Sequence, residues 1–131
     1  MNEAFIQTVL VVEDEPLILE MLQTTLEDAG FQIIVALDDA EAFAALESDR
    51  ARDLAGLVTD VNLRCRRSGW DIARRARELN PGLPVVYMSG DSCHDWTSQG
   101  VPHSTLVEKP FAPAQIVVAL ASLANKTDSE A

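Results

Sequence analysis

The chain has 131 residues, 47% of them hydrophobic, so it is long enough for one hydrophobic core and too short for two. Its formal net charge of −11, from 21 acidic and 10 basic side chains, argues against direct nucleic-acid binding, which needs a basic surface. No apolar stretch reaches the ~20 residues of a membrane span and the first residues lack the basic start of a secretory signal, so we expect a cytoplasmic protein with no membrane contact.

The first strand and the first helix have the clearest patterns. Residues 8–12 are apolar and rich in β-branched side chains, which is typical of a parallel strand buried on both faces. Pro16 then occupies a first helical turn, apolar residues recur at helical spacing and Gly30 supplies a stop, so we predict a helix between them. The apolar stripe of this helix consists of Leu17, Ile18, Met21, Leu22, Thr25, Leu26 and Ala29.

The alternation continues with a second strand over residues 31–36 and a second helix over residues 40–46. Either Asp38 or Asp39 provides the N-cap of this helix, because an aspartate oxygen can accept a backbone N–H of the first turn. A polar connection follows, and residues 57–59 then predict a third strand that ends in an aspartate.

Two strands and two helices complete the pattern. Residues 68–79 have the apolar spacing of a helix, while residues 83–88 and 105–107 predict the fourth and fifth strands. The segment 92–100 is compatible with either a short helix or a loop. The last helix begins at Pro113.

Strands that alternate with helices predict one α/β domain, in which a parallel sheet is covered by helices on both faces. This architecture follows because parallel neighbours need crossover connections. We place the domain at residues 1–125 and expect residues 126–131 to form a disordered tail.

Polar side chains follow four of the predicted strands. Glu13 and Asp14 follow the first strand, Asp60 the third, Ser89 the fourth and Lys109 the fifth. In open parallel sheets, ligands bind at the carboxyl ends of the strands. We therefore predict that these five residues meet in one site.

The residue types in this set indicate phosphoryl chemistry. Grouped carboxylates repel each other unless a cation is present, and hard oxygen ligands suit Mg²⁺. A carboxylate can attack phosphorus to form an acyl phosphate, whose charge needs a metal ion, a lysine and small hydrogen-bond donors. We predict Asp60 as the nucleophile, with Lys109 and Ser89 stabilising the transferred group.

Four motifs in this order resemble the receiver domain of bacterial two-component response regulators, over nearly the whole chain. They are Val11-Val12-Glu13-Asp14-Glu15-Pro16, Thr59-Asp60-Val61-Asn62-Leu63, Met88-Ser89-Gly90 and Glu108-Lys109-Pro110-Phe111. The resemblance implies a flavodoxin-like, doubly wound sheet of five parallel strands in the order 2-1-3-4-5, with five helices. No output domain follows the last predicted helix, so the chain resembles a stand-alone receiver, and a receiver domain excised from a longer protein would look the same.

The resemblance implies a function as well as a fold. Asp60 would accept a phosphoryl group from a sensor histidine kinase or a histidine phosphotransfer protein, with Mg²⁺ held by Glu13, Asp14, Asp60 and the backbone carbonyl of Asn62. The domain would catalyse its own phosphorylation and slow hydrolysis and would not be a conventional turnover enzyme. A downstream protein would bind the face made by the fourth helix, the fifth strand and the fifth helix.

Smaller details also follow from the resemblance. The peptide bond between Lys109 and Pro110 is expected to be cis, a form that only proline makes accessible at low cost. Gly90 resembles the small residue that lets a phosphodonor approach. Asn62 and Asp91 occupy positions that tune how water reaches the acyl phosphate.

Two departures from the family pattern lie close to the predicted site. The family usually has a proline shortly after the phosphoacceptor, whereas Arg64-Cys65-Arg66-Arg67 stands here and Gly69 comes one residue late. Many members carry an aromatic switch residue three positions before the lysine, where this chain has Leu106. We therefore expect a changed loop over the site and an absent or replaced aromatic switch.

Two rival functions use the same residues. A small Mg²⁺-dependent phosphohydrolase would need a general acid two residues after the nucleophile, where Asn62 cannot donate a proton. A pseudo-receiver that binds partners without phosphorylation is favoured only by the changed loop and by Leu106. Identical partner binding by the wild type and Asp60→Asn would support it.

Two other groups of residues have a simpler interpretation. A zinc site of Cys93, His94 and His103 matches no ligand spacing, and we expect Cys65 and Cys93 to be free thiols. The arginine run is interpreted as a solvated loop and helix face, with docking to an acidic partner or a phosphodonor as the alternative. The run consists of Arg64, Arg66, Arg67, Arg74, Arg75 and Arg77.

Overall fold

The computed structural model describes residues 7–63, 67–90 and 95–130, without the side chains of residues 50 and 126–130. Strands and helices alternate along these ranges, as predicted. The strands are β1 (Gln7–Val12), β2 (Phe31–Ala36), β3 (Leu54–Asp60), β4 (Val85–Ser89) and β5 (Ser104–Glu108). The helices are α1 (Pro16–Asp28), α2 (Asp39–Leu46), α3 (Gly69–Leu79), α4 (Trp96–Gln99) and α5 (Pro113–Glu130), and a short 3-10 helix (Asp49–Asp53) precedes β3.

The strands form one five-stranded parallel sheet in the order β2-β1-β3-β4-β5, which confirms the predicted flavodoxin-like fold. The strand order reverses between β1 and β3, so the carboxyl ends of these two strands open a crevice. Val12 lies opposite Thr59, and Asp60 lies opposite Met88, so β1, β3 and β4 end at the same edge. This edge is where the predicted site residues follow their strands.

Two apolar layers cover the sheet, one on each face. In β1, Leu10 and Val12 belong to the layer that packs against α2 and α3, and Val9 and Val11 belong to the layer under α1 and α5. All four side chains are fully buried. The continuous apolar run therefore corresponds to a strand that is buried on both faces, because successive side chains point to opposite layers.

The structure corrects the start of β3, which we predicted at residue 57. The strand already pairs with β1 at Leu54, opposite Thr8. Gly56 lies where an added Cβ would come within 2.7 Å of a Leu120 methyl group on α5. The glycine leaves room there for the Leu120 side chain, and because glycine is not typical of strands, the segment did not match the strand pattern.

Only part of the apolar stripe of α1 is buried. Leu22 and Leu26 are fully buried, whereas the Leu17 and Met21 side chains are 78% and 43% exposed. Apolar spacing predicts the helix but does not by itself show which of these residues are buried. At the end of the chain, α5 remains helical to Glu130, beyond the domain end that we placed at residue 125. The division into a domain and a disordered tail over residues 126–131 stays a prediction.

The N-cap of α2 is Asp38, whose Oδ1 accepts the Glu41 N–H at 2.8 Å. This resolves the choice between the two neighbouring aspartates and leaves the side chain of Asp39 to bind elsewhere.

None of the described helices combines the length and the apolar character that a membrane span requires.

Candidate functional site

Three acidic side chains meet at the carboxyl edge of the sheet. Glu13 and Asp14 directly follow β1, Asp60 ends β3, and the three residues offer carboxylate oxygens that lie within 4.8 Å of one another. Glu13 is fully buried and Asp60 is 6% exposed, whereas Asp14 is half-buried. The topology therefore brings together acids that are 46 positions apart in the chain, counting from Asp14 to Asp60.

Lys109 joins the two buried carboxylates. Its Nζ donates to Glu13 Oε1 at 3.2 Å and to Asp60 Oδ2 at 3.2 Å. The lysine follows β5, and its backbone N–H donates to the Ser89 carbonyl at 2.8 Å, which places it beside the end of β4. The peptide bond from Lys109 to Pro110 is cis, as expected.

Backbone groups hold the remaining oxygens of the buried acids. The Asn62 N–H donates to Asp60 Oδ1 at 3.1 Å, and the Glu15 N–H donates to Glu13 Oε2 at 3.0 Å. In each buried carboxylate, one oxygen thus accepts a hydrogen bond from a backbone N–H and the other accepts one from Lys109. The sequence gives no signal for these backbone donors, because every residue except proline carries an N–H.

Burial opposes the ionisation of Glu13 and Asp60, so the pKa values of both groups are raised. Burial raises the pKa of Asp60 and the charge of Asp14 adds to the rise, although Lys109 and the Asn62 N–H act against it. Burial likewise raises the pKa of Glu13, and Asp60 adds to that rise. Burial alone would lower the pKa of Lys109, but the charges of Asp60 and Glu13 outweigh it, and the pKa lies above its ordinary value. One lysine therefore does not fully neutralise the three acids.

The donor set fits a hard divalent cation. Glu13, Asp14 and Asp60 offer three carboxylate ligands within 4.8 Å of one another, and oxygen ligands of this kind suit Mg²⁺. A cation would also supply the positive charge that the buried acids lack. An acidic metal-binding pocket is thus compatible with both the geometry and the electrostatics of the site.

Gly69 brings the first turn of α3 against the backbone of Asp60. Its N–H donates to the Val61 carbonyl at 3.1 Å, and an added Cβ would overlap the carbonyl oxygen of Asp60. Ser68 caps the same helix in a reciprocal capping box with Asp71. The glycine that comes one residue late in the sequence therefore contacts the predicted nucleophile's main chain.

We expect Gly69→Ala to destabilise the protein by about 2 kcal/mol or more, because the new methyl group overlaps the Asp60 backbone. Helix propensity alone would change stability in the opposite direction, since alanine is favoured over glycine in helices by about 1 kcal/mol. Gly90→Ala is the control, because no described atom lies within 4 Å of a Cβ built there. Urea unfolding of both variants measures the difference, and equal stabilities would contradict the close approach.

Some of the predicted positions lie outside the described residues, namely Arg64, Cys65, Arg66, Asp91, Cys93 and His94.

Leu106, which stands at the family's aromatic position, lies opposite Tyr87 in the sheet and packs against the α2–α3 layer. Trp70 is 8% exposed with its ring centroid 4.5 Å from that of Tyr87, so it is a core residue.

The described arginines of the basic run bind groups of this chain. Arg67 pairs with Asp39, Arg74 with Asp71 and Gln99, and Arg75 with Glu47 and Glu78, while Arg77 donates to the carbonyls of Leu83, Pro102 and His103. These contacts tie α3 to α2 and to the segments before β4 and β5. Intramolecular packing therefore accounts for these four side chains, and partner docking stays a prediction.

Comparison with known proteins identifies one family. A model described as the response regulator receiver domain matches residues 9–121. The chain is similar to the probable transcriptional regulatory protein TcrX of Mycobacterium tuberculosis, with 35% identity over 122 residues, covering 92% of this chain and 50% of that protein. It is 33% identical over 132 residues to the phosphate regulon transcriptional regulatory protein PhoB of Pseudomonas aeruginosa, covering 95% of this chain and 56% of that protein.

A solved structure is similar over its whole length. The crystal structure of a response regulator receiver protein from Sinorhizobium medicae superposes with a TM-score of 0.89 and 38% identity, covering 95% of this chain and 99% of that one. The chain thus spans about half the length of the curated relatives that it matches and nearly all of this solved protein.

Proposed function

The chain belongs to the response regulator receiver domain family, and from this we propose that Asp60 accepts a phosphoryl group from a sensor histidine kinase or a histidine phosphotransfer protein. Members of this family are receiver domains and not conventional enzymes. The observation that carries the proposal is the pairing of Lys109 with the buried Asp60, beside Glu13 and Asp14. A cytoplasmic location, which is typical of the family, is part of the proposal.

Each residue at the site has a separate role in the proposed phosphoryl transfer. A carboxylate oxygen of Asp60 forms the bond to phosphorus while the bond from phosphorus to the donor's histidine nitrogen breaks. Glu13, Asp14, Asp60 and the carbonyl of Asn62 would hold Mg²⁺, which supplies positive charge to the transferred group. The Asn62 N–H orients the Asp60 carboxylate at 3.1 Å.

Two residues would hold the phosphorylated form. Lys109 already bonds Asp60 Oδ2 at 3.2 Å, so its ammonium can follow the charge onto the phosphoryl oxygens. Ser89, which is 1% exposed at the end of β4, supplies a hydroxyl donor from the neighbouring strand. Contacts that exist only in the phosphorylated form would shift the equilibrium between two conformations of the domain.

The signal would leave through the face made by α4, β5 and α5. A groove of about 840 Å³ lies between β5 and α5, where Ala114, Val118 and Ala119 contribute to the lining and Val118 is 64% exposed. Apolar surface of this kind supports the binding of a downstream protein. Binding of a downstream protein to this face is part of the same proposal.

The test is phosphorylation by acetyl phosphate, with and without Mg²⁺, followed by intact-protein mass measurement. The wild type should gain one phosphoryl group only when Mg²⁺ is present, and Asp60→Asn should gain none. Beryllofluoride binding provides a second measurement, because it does not depend on the reactivity of the donor. Failure of both measurements in the wild type would favour a pseudo-receiver.

A further inference from the structure

Asp39 connects the start of α2 to the loop that follows Asp60. Its side chain is 12% exposed, and its Oδ2 accepts the backbone N–H of Arg67 at 3.3 Å and the Arg67 Nε–H at 3.2 Å. Its Oδ1 accepts the Ala40 N–H at 2.9 Å. Because Asp38 is the helix cap, Asp39 is available to hold the main chain of the loop as well as a side chain.

Phe43 adds a second contact from the same helix. The guanidinium carbon of Arg67 lies 3.8 Å from the centroid of the Phe43 ring, within the range of a cation–π interaction. Asp39 and Phe43 are four positions apart, so they lie on the same face of α2. Phe43 itself packs against the α2–α3 layer of the core. Arg67 is therefore held by a carboxylate and a ring on one rigid helix.

The segment from Arg67 leads directly to the acidic site. The next residue caps α3, and Gly69 then packs on the Asp60 main chain and donates to the Val61 carbonyl. At the other end of the loop, the Asn62 N–H bonds the Asp60 carboxylate. The position of Arg67 therefore affects, through Ser68 and Gly69, the main chain at Asp60 and Val61, which is continuous with Asn62.

We propose that Asp39 and Arg67 are positioning residues, which hold the turn from Arg67 to Gly69 against the Asp60 main chain and thereby set the Mg²⁺ affinity of the acidic site. This inference rests on the proposed function for the identity of the metal and for the Asn62 carbonyl as a ligand. Mutation of groups that orient metal ligands typically weakens metal binding by about 10- to 100-fold.

For Arg67→Ala, the loss of charge and the loss of loop positioning predict opposite changes in Mg²⁺ affinity. The substitution removes a positive charge near an anionic site and leaves Asp39 without that guanidinium, so electrostatics alone would strengthen Mg²⁺ binding. Loss of loop geometry would weaken it. The sign of the change in the dissociation constant therefore separates the two explanations.

The experiment is calorimetric titration of the full chain with MgCl₂, at a temperature where circular dichroism shows each variant to be folded. We expect Arg67→Ala to weaken Mg²⁺ binding about tenfold, and Arg67→Lys to do the same, because lysine keeps the charge but lacks Nε and the planar group. Asp39→Ala should weaken binding further, since it also removes the acceptor of the loop N–H.

Arg75→Ala is the matched control. Arg75 also joins α3 to α2, through two hydrogen bonds to Glu47 at the opposite end of α2 from Asp39. It should bind Mg²⁺ within twofold of the wild type. Unchanged or tighter binding by Arg67→Ala would overturn the inference, as would an absence of Mg²⁺ binding by the wild type. A wild type that binds Mg²⁺ but takes no phosphoryl group would overturn the proposed function alone.

Discussion

Asp60→Asn is expected to stabilise the metal-free protein at pH 7 and to remove most of the stabilisation that Mg²⁺ gives to the wild type. Burial raises the pKa of Asp60, so the folded protein favours the neutral form and the charged form costs free energy. Asparagine has nearly the same shape without the charge. The gain should appear as a higher midpoint of thermal unfolding for the variant than for the wild type in EDTA.

The pH dependence gives the sign of this effect. A carboxyl group whose folded pKa lies above its unfolded value stabilises the fold below the unfolded pKa, and this contribution is lost as the pH rises through the folded pKa. Once Asp60 is ionised, the wild type has lost this stabilising contribution, whereas the asparagine variant has no charge to bury. The difference in unfolding free energy between the variant and the wild type should therefore shrink toward zero as the pH falls below about 4.

The Mg²⁺ response is the larger part of this prediction. A ligand present at 100 times its dissociation constant stabilises the folded state by about 2.7 kcal/mol, and Asp60→Asn loses one of the three carboxylate ligands. Thermal unfolding in EDTA and in MgCl₂ measures both parts. Asp28→Asn, an exposed aspartate at the end of α1, should keep the full Mg²⁺ response. Lower stability of Asp60→Asn in EDTA would mean that the bond to Lys109 outweighs the cost of burial.

Lys109→Met should produce the opposite change in the metal-free protein. The substitution leaves the fully buried Glu13 and the largely buried Asp60 without their shared cation. Removing one partner of a buried ion pair costs 3–5 kcal/mol, and we expect roughly 2–4 kcal/mol because the Lys109 side chain is 21% exposed. Methionine keeps most of the apolar stem, so the loss reports mainly on charge.

Mg²⁺ and acid should both restore the Lys109→Met variant. Lys109 lowers the pKa values of Glu13 and Asp60, so its removal raises them further and protonation relieves the unpaired charges as the pH falls. Mg²⁺ should stabilise the variant more than it stabilises the wild type, because no ammonium competes for the two carboxylates. Urea unfolding at pH 7 and pH 5, with and without MgCl₂, measures these changes.

The control for Lys109→Met is Arg74→Met. Arg74 and Asp71 are 45% and 44% exposed, and an exposed ion pair of this kind contributes less than about 1 kcal/mol. The control should therefore lose little stability and show the wild-type response to Mg²⁺. Equal losses in the two variants would contradict the view that Lys109 compensates buried charge.

Most of the fold could be predicted because local patterns and tertiary structure agree. The run at residues 8–12 is apolar because both faces of β1 are covered, and Pro16 and Gly30 mark the ends of α1 through backbone geometry alone. Gly30 has a φ of +100°, which favours glycine over residues with a side chain. Features of this kind depend on a few neighbouring residues and are therefore readable from the chain.

The errors occurred where packing by distant residues decides the outcome. β3 begins earlier than we predicted because its pairing with β1 starts at Leu54, and that pairing depends on a neighbouring strand that no local pattern contains. The apolar stripe of α1 is wider than its buried part, because Leu17 and Met21 have apolar spacing but no core layer above them among the described residues. Periodicity identifies a helix, whereas burial depends on which elements cover it.

The amino-acid sequence by itself determined the order of strands and helices and which polar residues follow the strands, because backbone propensity and hydrophobic periodicity are local. It also named the acids and the lysine of the site, since their types and their places after strands are visible in the chain. Only the tertiary structure decided that Lys109 bonds Glu13 and Asp60 together, that Gly69 packs on the Asp60 backbone and that Asp39 holds Arg67. These contacts join residues brought close by sheet order and helix packing, and the hydrogen bonds and charge effects that they create depend on distances of a few ångströms that no local pattern specifies.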